Sequence, residues 1–183
     1  MSEKPKILHQ SIVSSSRLFT VEAVDFKFSN GVERTYERLV SGGPGAVMMV
    51  AMLDDEHVAI IREFGGGVEE YTLTLPKGAV DLGETLVDAA NRELQEEIGF
   101  AAKKMTFLKH MSLSPSYMKS GIDIFLAENL YPSVLEGDEP EPLELIKWPL
   151  VNLHELVMRD DCTEGRSIAA LYLAREYLAN RKA

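Results

Sequence analysis

Two apolar runs, AVMMVAML (46–53) and HVAIIREF (57–64), restrict most what this chain can fold into. Neither alternates with polar residues. A strand that is apolar at successive positions is buried on both faces. Joined by Asp54-Asp55-Glu56, the two runs read as a hairpin that needs cover on each side. Other strands are easier to place. LFTVEAVDFKF and VERTYERLV alternate about the turn SNG, which predicts a hairpin over 18–40. YTLTLP, KMTFLKHMSLS, GIDIFLAENLY and LIKWPL read as further strands. FGGGVEE reads as a flexible connector. A helix is expected inside 78–100, a short one at VNLHELVM, and a terminal one over about 163–180. The order strands, helix, strands, helix predicts an α+β chain with helices packed on a mixed sheet. The Gly/Pro break SGGPG (41–45) divides an N-terminal β unit (1–45) from a main domain (46–183).

The first helix carries the chemistry. Thr85 and Asp88 form a T-x-x-D capping pattern, and Gly99 is a natural stop. With Arg92 at zero, Glu96, Glu93 and Glu97 fall at roughly 40°, 100° and 140°. Ala90, Leu94, Val87 and Ile98 fall at roughly 160° to 240°, so an apolar side facing the sheet adjoins an acidic side. Ala89 sits amid the acids and leaves room. No lysine balances these carboxylates, and Glu93 and Glu97 form an i, i+4 like-charge pair. A solvated acidic face is the plain alternative. Unbalanced carboxylates on one face also suit a hard divalent ion that bridges protein oxygens to phosphate.

Gly78, Glu84 and the run Arg92-Glu93-Leu94-Gln95-Glu96-Glu97-Ile98-Gly99-Phe100 resemble a complete Nudix box, with every fixed position filled. The resemblance implies an α/β/α sandwich and Mg²⁺-dependent hydrolysis of a nucleoside diphosphate linked to another group. Mn²⁺ is the expected substitute for Mg²⁺. It implies Glu93 and Glu97 as principal metal ligands, Glu96 as a further ligand or holder of a metal-bound water, and the Lys77 carbonyl as another ligand. Arg92 and Glu84 are implied to pair, with Gly78 and Gly99 as structural positions.

Pro115, 15 residues after Phe100, resembles the mark of the ADP-ribose pyrophosphatase subgroup. Tyr117 resembles that of diadenosine polyphosphate hydrolases. Pieces such as SRLFTVEAVDFKFSNG and LYPSVLEGDEPEP extend a likeness to bacterial Nudix enzymes acting on ADP compounds over about 16–176. ADP-ribose, diadenosine di- and triphosphate and NADH are the substrates this implies, with AMP released. The chain departs from the subgroup at Thr74-Leu75-Pro76-Lys77-Gly78, where E-L-P-A-G is usual, and at Ser114-Pro115-Ser116, where S-P-G is usual. In LEGDEPEPLE (135–144), Glu139 and then Glu141 are the candidate catalytic bases, ahead of Asp138. A solvated acidic linker is the alternative. Arg62, then Arg38, with Ser114, Pro115 and Tyr117, are the candidate substrate contacts. Either arginine reads equally as a surface ion pair. Phe19 and Tyr36 could stack on adenine, though aromatics on strands are more often core. The family likeness implies a homodimer whose N-terminal units reach across to the partner.

A net charge of −10 disfavours nucleic acid or an anionic membrane as partner. One cysteine, Cys162, excludes an intrachain disulfide and suits the cytoplasm. The start shows no apolar signal core, and no 18-residue apolar run occurs. The histidines lack zinc spacing. A catalytically silent Nudix sensor is the competing reading. Silent members usually lose box glutamates, and all four are present here. A Nudix-fold isomerase would need a cysteine in the site.

Overall fold

The computed structural model describes residues 3–182. The outermost residues of the two expected regions, 1–2 and 183, lie outside the described residues. β1 (Lys6–Ser15), β2 (Thr20–Lys27) and β3 (Glu33–Val40) form an antiparallel sheet in that order. β4 (Ala46–Ala51), β5 (His57–Gly65), β6 (Glu70–Thr74) and β7 (Lys77–Ala79) follow, then α1 (Leu86–Glu97). β8 (Phe100–Ser112), β9 (Gly121–Pro132) and β10 (Glu144–Pro149) precede a 3-10 turn (Leu150–Asn152), α2 (Leu153–Val157) and α3 (Gly165–Lys182). One sheet runs β7-β4-β9-β8 and is mixed, because β4 and β9 are parallel. The other runs β10-β5-β6 and is antiparallel.

The expected double burial of the apolar runs is what makes this a sandwich. Met48 and Val50 of β4, with Met52 just after it, pack with Leu153, Leu156 and Leu171 of α2 and α3. Val47, Met49 and Ala51 pack with Ala89, Ala90 and Leu94 of α1. Period-two alternation thus sends one strand's side chains into two cores. Truncating a fully buried leucine such as Leu94 to alanine costs about 2–5 kcal/mol.

The predicted pairing of the two runs is corrected. β4 and β5 lie in different ladders; a Met52–Val58 bridge and the Leu53 N–H to His57 carbonyl bond of 2.9 Å join their ends, and their side chains share both cores. Runs apolar on both faces carry no mark of their partner. β9 pairs with β4 and β10 with β5, both from far along the chain. FGGGVEE is no loose connector, since Phe64 and Gly65 pair with Tyr71 and Glu70 in the β5–β6 hairpin. β1 was not expected. Register shifts between Ile7 and His9 and between Ile12 and Ser14 break its alternation. Met48, Met49 and Met52 are core, as expected, and Trp148 packs against it while donating to the Asn152 carbonyl at 3.1 Å. On α3 the buried face is Leu171 and Ala174 with Ile168 and Leu178, whereas Tyr177 faces out.

Glu128 on β9 ties the terminal helix to the sheet. It accepts both Arg181 Nη atoms, at 2.9 and 2.8 Å, and Lys104 Nζ at 2.7 Å. Arg181, then Lys104, hold its carboxyl below the ordinary 4.5. A depressed carboxylate stabilises the fold above its unfolded-state value and loses that contribution as pH falls through the folded-state value. Glu128→Gln is therefore expected to lower stability by about 1 kcal/mol at pH 7. Urea midpoints of variant and wild type should converge by about pH 3.

Candidate active site

α1 starts and stops where its ends predict. Thr85 caps it, accepting the Asp88 N–H at 3.2 Å while its hydroxyl donates to the Asp88 carboxylate at 2.6 Å. Gly99 ends it at φ +73°, a conformation that favours glycine. The buried arc is turned from the one expected. Ala89, Ala90, Glu93, Leu94 and Ile98 are buried, and Val87 is 42 % exposed. The rotation brings Glu93 inward over Gly78 of β7. A Cβ at Gly78 would stand 2.0 Å from Glu93 Cδ, so only glycine lets this helix and strand meet.

Arg92 fastens the helix to the segment before it. Nε and Nη2 donate to the two Glu84 oxygens at 3.0 and 3.1 Å, and Nη2 also reaches the Ala79 carbonyl at 2.8 Å. Nη1 donates to Glu93 at 2.7 Å and Glu96 at 2.9 Å. Glu84 is held below its ordinary pKa by Arg92. Glu97 accepts the Lys77 N–H at 3.0 Å.

These groups line a cavity of about 420 Å³. Asp81, Glu93, Glu96 and Glu97 stand on one side, and Glu136, Asp138 and Glu139 on the other; Lys77 and Arg92 are the basic lining residues. Burial pushes Glu97 up to about 8, against the opposing pull of Lys77. Burial also raises Glu93 despite Arg92, and raises Glu139, with Glu63 and Asp138 adding to it. Carboxylates crowded and desolvated in this way are relieved by a cation, and an all-oxygen donor set fits a hard divalent ion. Among the described residues no three His, Cys, Asp or Glu side chains are gathered closely enough to hold a metal ion as they stand. A divalent ion held by Glu93 and Glu96 would compete with Arg92 Nη1, while Glu84 accepts from the other edge of the guanidinium.

The acidic loop is anchored at its start. Ser133 N–H donates to the Gly99 carbonyl at 3.0 Å and Leu135 N–H to that of Gln95 at 3.2 Å. Glu139 lines the cavity. Glu141 is outside that lining; it accepts the Tyr71 hydroxyl at 2.5 Å and lines an adjoining cavity with Glu96, Glu97 and Glu139. Arg62 is also elsewhere, paired with Glu144 at 2.9 Å and Asp161 at 3.2 Å. Strand parity is the reason. Ala59 and Ile61 face the α1 core and Val58 and Ile60 the other, so Glu63 points to the site and Arg62 away from it. Glu63, missed in the sequence, pairs there with Lys77 Nζ. Alternation on β5 was the signal that could have found it.

Arg38, Pro115 and Tyr117 line a second cavity of about 440 Å³ with Phe26, Phe28 and Tyr36. Arg38 is also paired with Glu22 at 2.7 Å. Ser114 supports this cavity from behind, its carbonyl accepting the N–H groups of Tyr117 and Met118 at 3.0 and 2.7 Å. Leu39 joins β3 to the same turn through the Tyr117 carbonyl and the Lys119 N–H. Phe19 is exposed and outside this lining. Cys162 is buried, and burial raises its thiol pKa.

A family model for the NUDIX domain matches residues 43–172, and one for the NudE-type Nudix hydrolase N-terminal domain matches 5–38. The chain belongs to the Nudix hydrolase family. The ADP compounds hydrolase NudE of Escherichia coli is 51 % identical over 96 % of this chain and 94 % of its own. The ADP-ribose pyrophosphatase of Bacillus subtilis is 28 % identical over 91 % of this chain and 92 % of its own. A crystal structure of an ADP compounds hydrolase superposes with a TM-score of 0.89 at 48 % identity, covering 99 % of this chain and 97 % of that one. The Nudix box of Gly78 to Phe100 lies inside the matched domain, and Nudix hydrolases use a divalent metal. Among the described residues no helix is long and apolar enough to cross a membrane.

The raised Glu97 sets a pH dependence for this Nudix site without metal. The folded protein keeps a proton that the unfolded chain releases above 4.5. Metal-free stability is thus expected to fall as pH rises from about 5 to about 8, and to level off above that. Glu97→Gln should flatten the slope and exceed wild type by about 1–2 kcal/mol at pH 9 in EDTA. Denaturant midpoints at three pH values check this; equal midpoints at pH 9 would count against it.

Proposed function

We propose that the chain hydrolyses the diphosphate linkage of ADP-ribose and related ADP compounds, including diadenosine di- and triphosphate and NADH, and releases AMP. One observation carries the reading. Glu93, Glu97 and Glu139, from helix and loop, converge in one cavity and are each held above the ordinary carboxylate range. The names of the similar proteins support ADP compounds as the substrate class.

Glu93, Glu96 and Glu97, with the Lys77 carbonyl, would hold Mg²⁺, or Mn²⁺ in its place. When bound, such ions neutralise phosphate charge and lower the pKa of water. The chain's own residues do the rest. Glu84 and Arg92 fix α1 against the segment that bears Gly78. Glu139 takes a proton from the attacking water, and burial, which holds its carboxyl above the ordinary value, makes it a stronger base. Glu141, bound to Tyr71, steadies the loop instead. The adenosine is read by the aromatic cavity, where Tyr36 or Tyr117 can stack on the base and Arg38 supplies charge.

Residues 1–45 serve as dimerisation unit and adenosine cover, and 46–183 as the hydrolase domain. Ile7, Leu8, Ile12, Val13, Leu18 and Phe19 are each more than half exposed on or beside the N-terminal sheet. Apolar surface gathered in this way supports a homodimer. The buried lone cysteine suits a cytoplasmic location.

Phosphate-product release from ADP-ribose, diadenosine triphosphate, NADH and a nucleoside triphosphate, each with and without Mg²⁺, tests the proposal. Metal-dependent cleavage led by an ADP compound is expected. Tight nucleotide binding with no cleavage would make this a silent sensor. Glu97→Gln should reduce turnover by about 10³-fold with Mg²⁺ present. Glu139→Gln should lower kcat far more than it changes KM; a rise in KM alone would make Glu139 a binding residue. Sedimentation at micromolar concentration should show a dimer, and a monomer would remove the crossed-over role of the N-terminal unit.

A further inference from the structure

Lys77 stands where the resembled subgroup carries alanine, and its side chain has no part in the mechanism above. β7 presents it in two directions. Its N–H donates to Glu97 at 3.0 Å, and its ammonium pairs with Glu63 on β5. The two paired side chains are 18 % and 25 % exposed, so this is an enclosed pair rather than a surface one. Lys77 lines the same cavity as Glu97 of the helix and Glu139 of the loop. Arg92, the other base of the cavity, is committed to Glu84, Glu93, Glu96 and the Ala79 carbonyl. An ammonium has three donors, and Glu63 needs one.

We propose that the Lys77 side chain, held by Glu63, is a built-in counter-cation of the acid cavity that contacts the substrate's diphosphate and restrains divalent-ion binding. This rests on the hydrolase reading for its substrate half, while the ion half stands on the geometry alone. The fixed charge has opposite effects on the two ligands. It repels divalent ions that the seven lining carboxylates attract, and it attracts the phosphate oxygens. Glu63 keeps the ammonium off Glu97 and Glu139, so those carboxylates stay open to the ions.

Lys77→Met keeps the apolar stem and removes the charge. Mn²⁺ binding to the substrate-free protein, read by electron paramagnetic resonance, is expected to tighten about fivefold. KM for ADP-ribose is expected to rise by at least about as much, and Lys77→Arg to restore both. Glu63→Gln is expected to weaken Mn²⁺ binding, because the released ammonium turns to the site acids. A lysine that merely supports the fold would not tighten metal binding on removal. Unchanged or weaker Mn²⁺ binding in folded Lys77→Met overturns the proposal, as does unchanged Mn²⁺ binding in Glu63→Gln. If wild type cleaves ADP-ribose while Lys77→Met keeps its KM and its Mn²⁺ affinity, this inference fails alone. If wild type cleaves nothing with metal, the hydrolase reading fails, and the Mn²⁺ arms still decide the counter-cation.

Discussion

Crowded carboxylate charge is the constraint around which this molecule is arranged. Seven acids share one cavity with two bases, and burial makes the ionised forms of Glu93, Glu97 and Glu139 costly. A loose helix would relieve the strain by turning its glutamates to solvent. Three contacts prevent that. Arg92 grips Glu84 with two donors, Glu93 lies over Gly78 with no room for a side chain between, and Leu94 fills the core beneath. The sheet supplies what these contacts push against. β4 is buried on both sides, so β7 and its glycine are held at a fixed height under α1.

What could be read from the chain divides along physical lines. Local patterns carried through: the Thr85 cap, the Gly99 stop, the acids on one helical face and the alternating hairpin of β2 and β3. Each depends on residues within a turn or two of one another. Long-range choices did not carry through. The partners of β4 and β5 come from strands far along the chain, and apolar runs do not name them. β1 was hidden because two register shifts interrupt its period. The helix's turn about its axis placed Val87 out and Glu93 in, because a short strand, not only the apolar core, lies against it.

Arg62 and Glu63 show how little separates a good choice of residue from a poor one. A positive residue beside an anionic substrate is sound electrostatics, but a one-residue step on a strand reverses the face. Arg62 therefore works in ion pairs with Glu144 and Asp161, and its acidic neighbour enters the site. That inversion also explains Lys77. An acid pointing from β5 into an already acidic cavity needs a counter-charge, and β7 is the nearest strand that supplies one.

The β5–β6 hairpin thereby links both walls of the cavity. Glu63 engages Lys77, whose backbone holds Glu97 on the helix side. Opposite Phe64, Tyr71 donates to Glu141 in the acidic loop, and the two rings meet edge to face at 5.4 Å. The loop's other end is tied to the last turn of α1 through Gln95 and Gly99. Glu139 sits between these anchors, flanked by Pro140. A carboxylate so placed can adjust by small loop motions without leaving the cavity, as the proposed proton transfer from the attacking water to Glu139 would require. The hairpin that seemed a glycine-rich connector thus touches both the acidic loop, through Glu141, and Lys77 beside the helix glutamates.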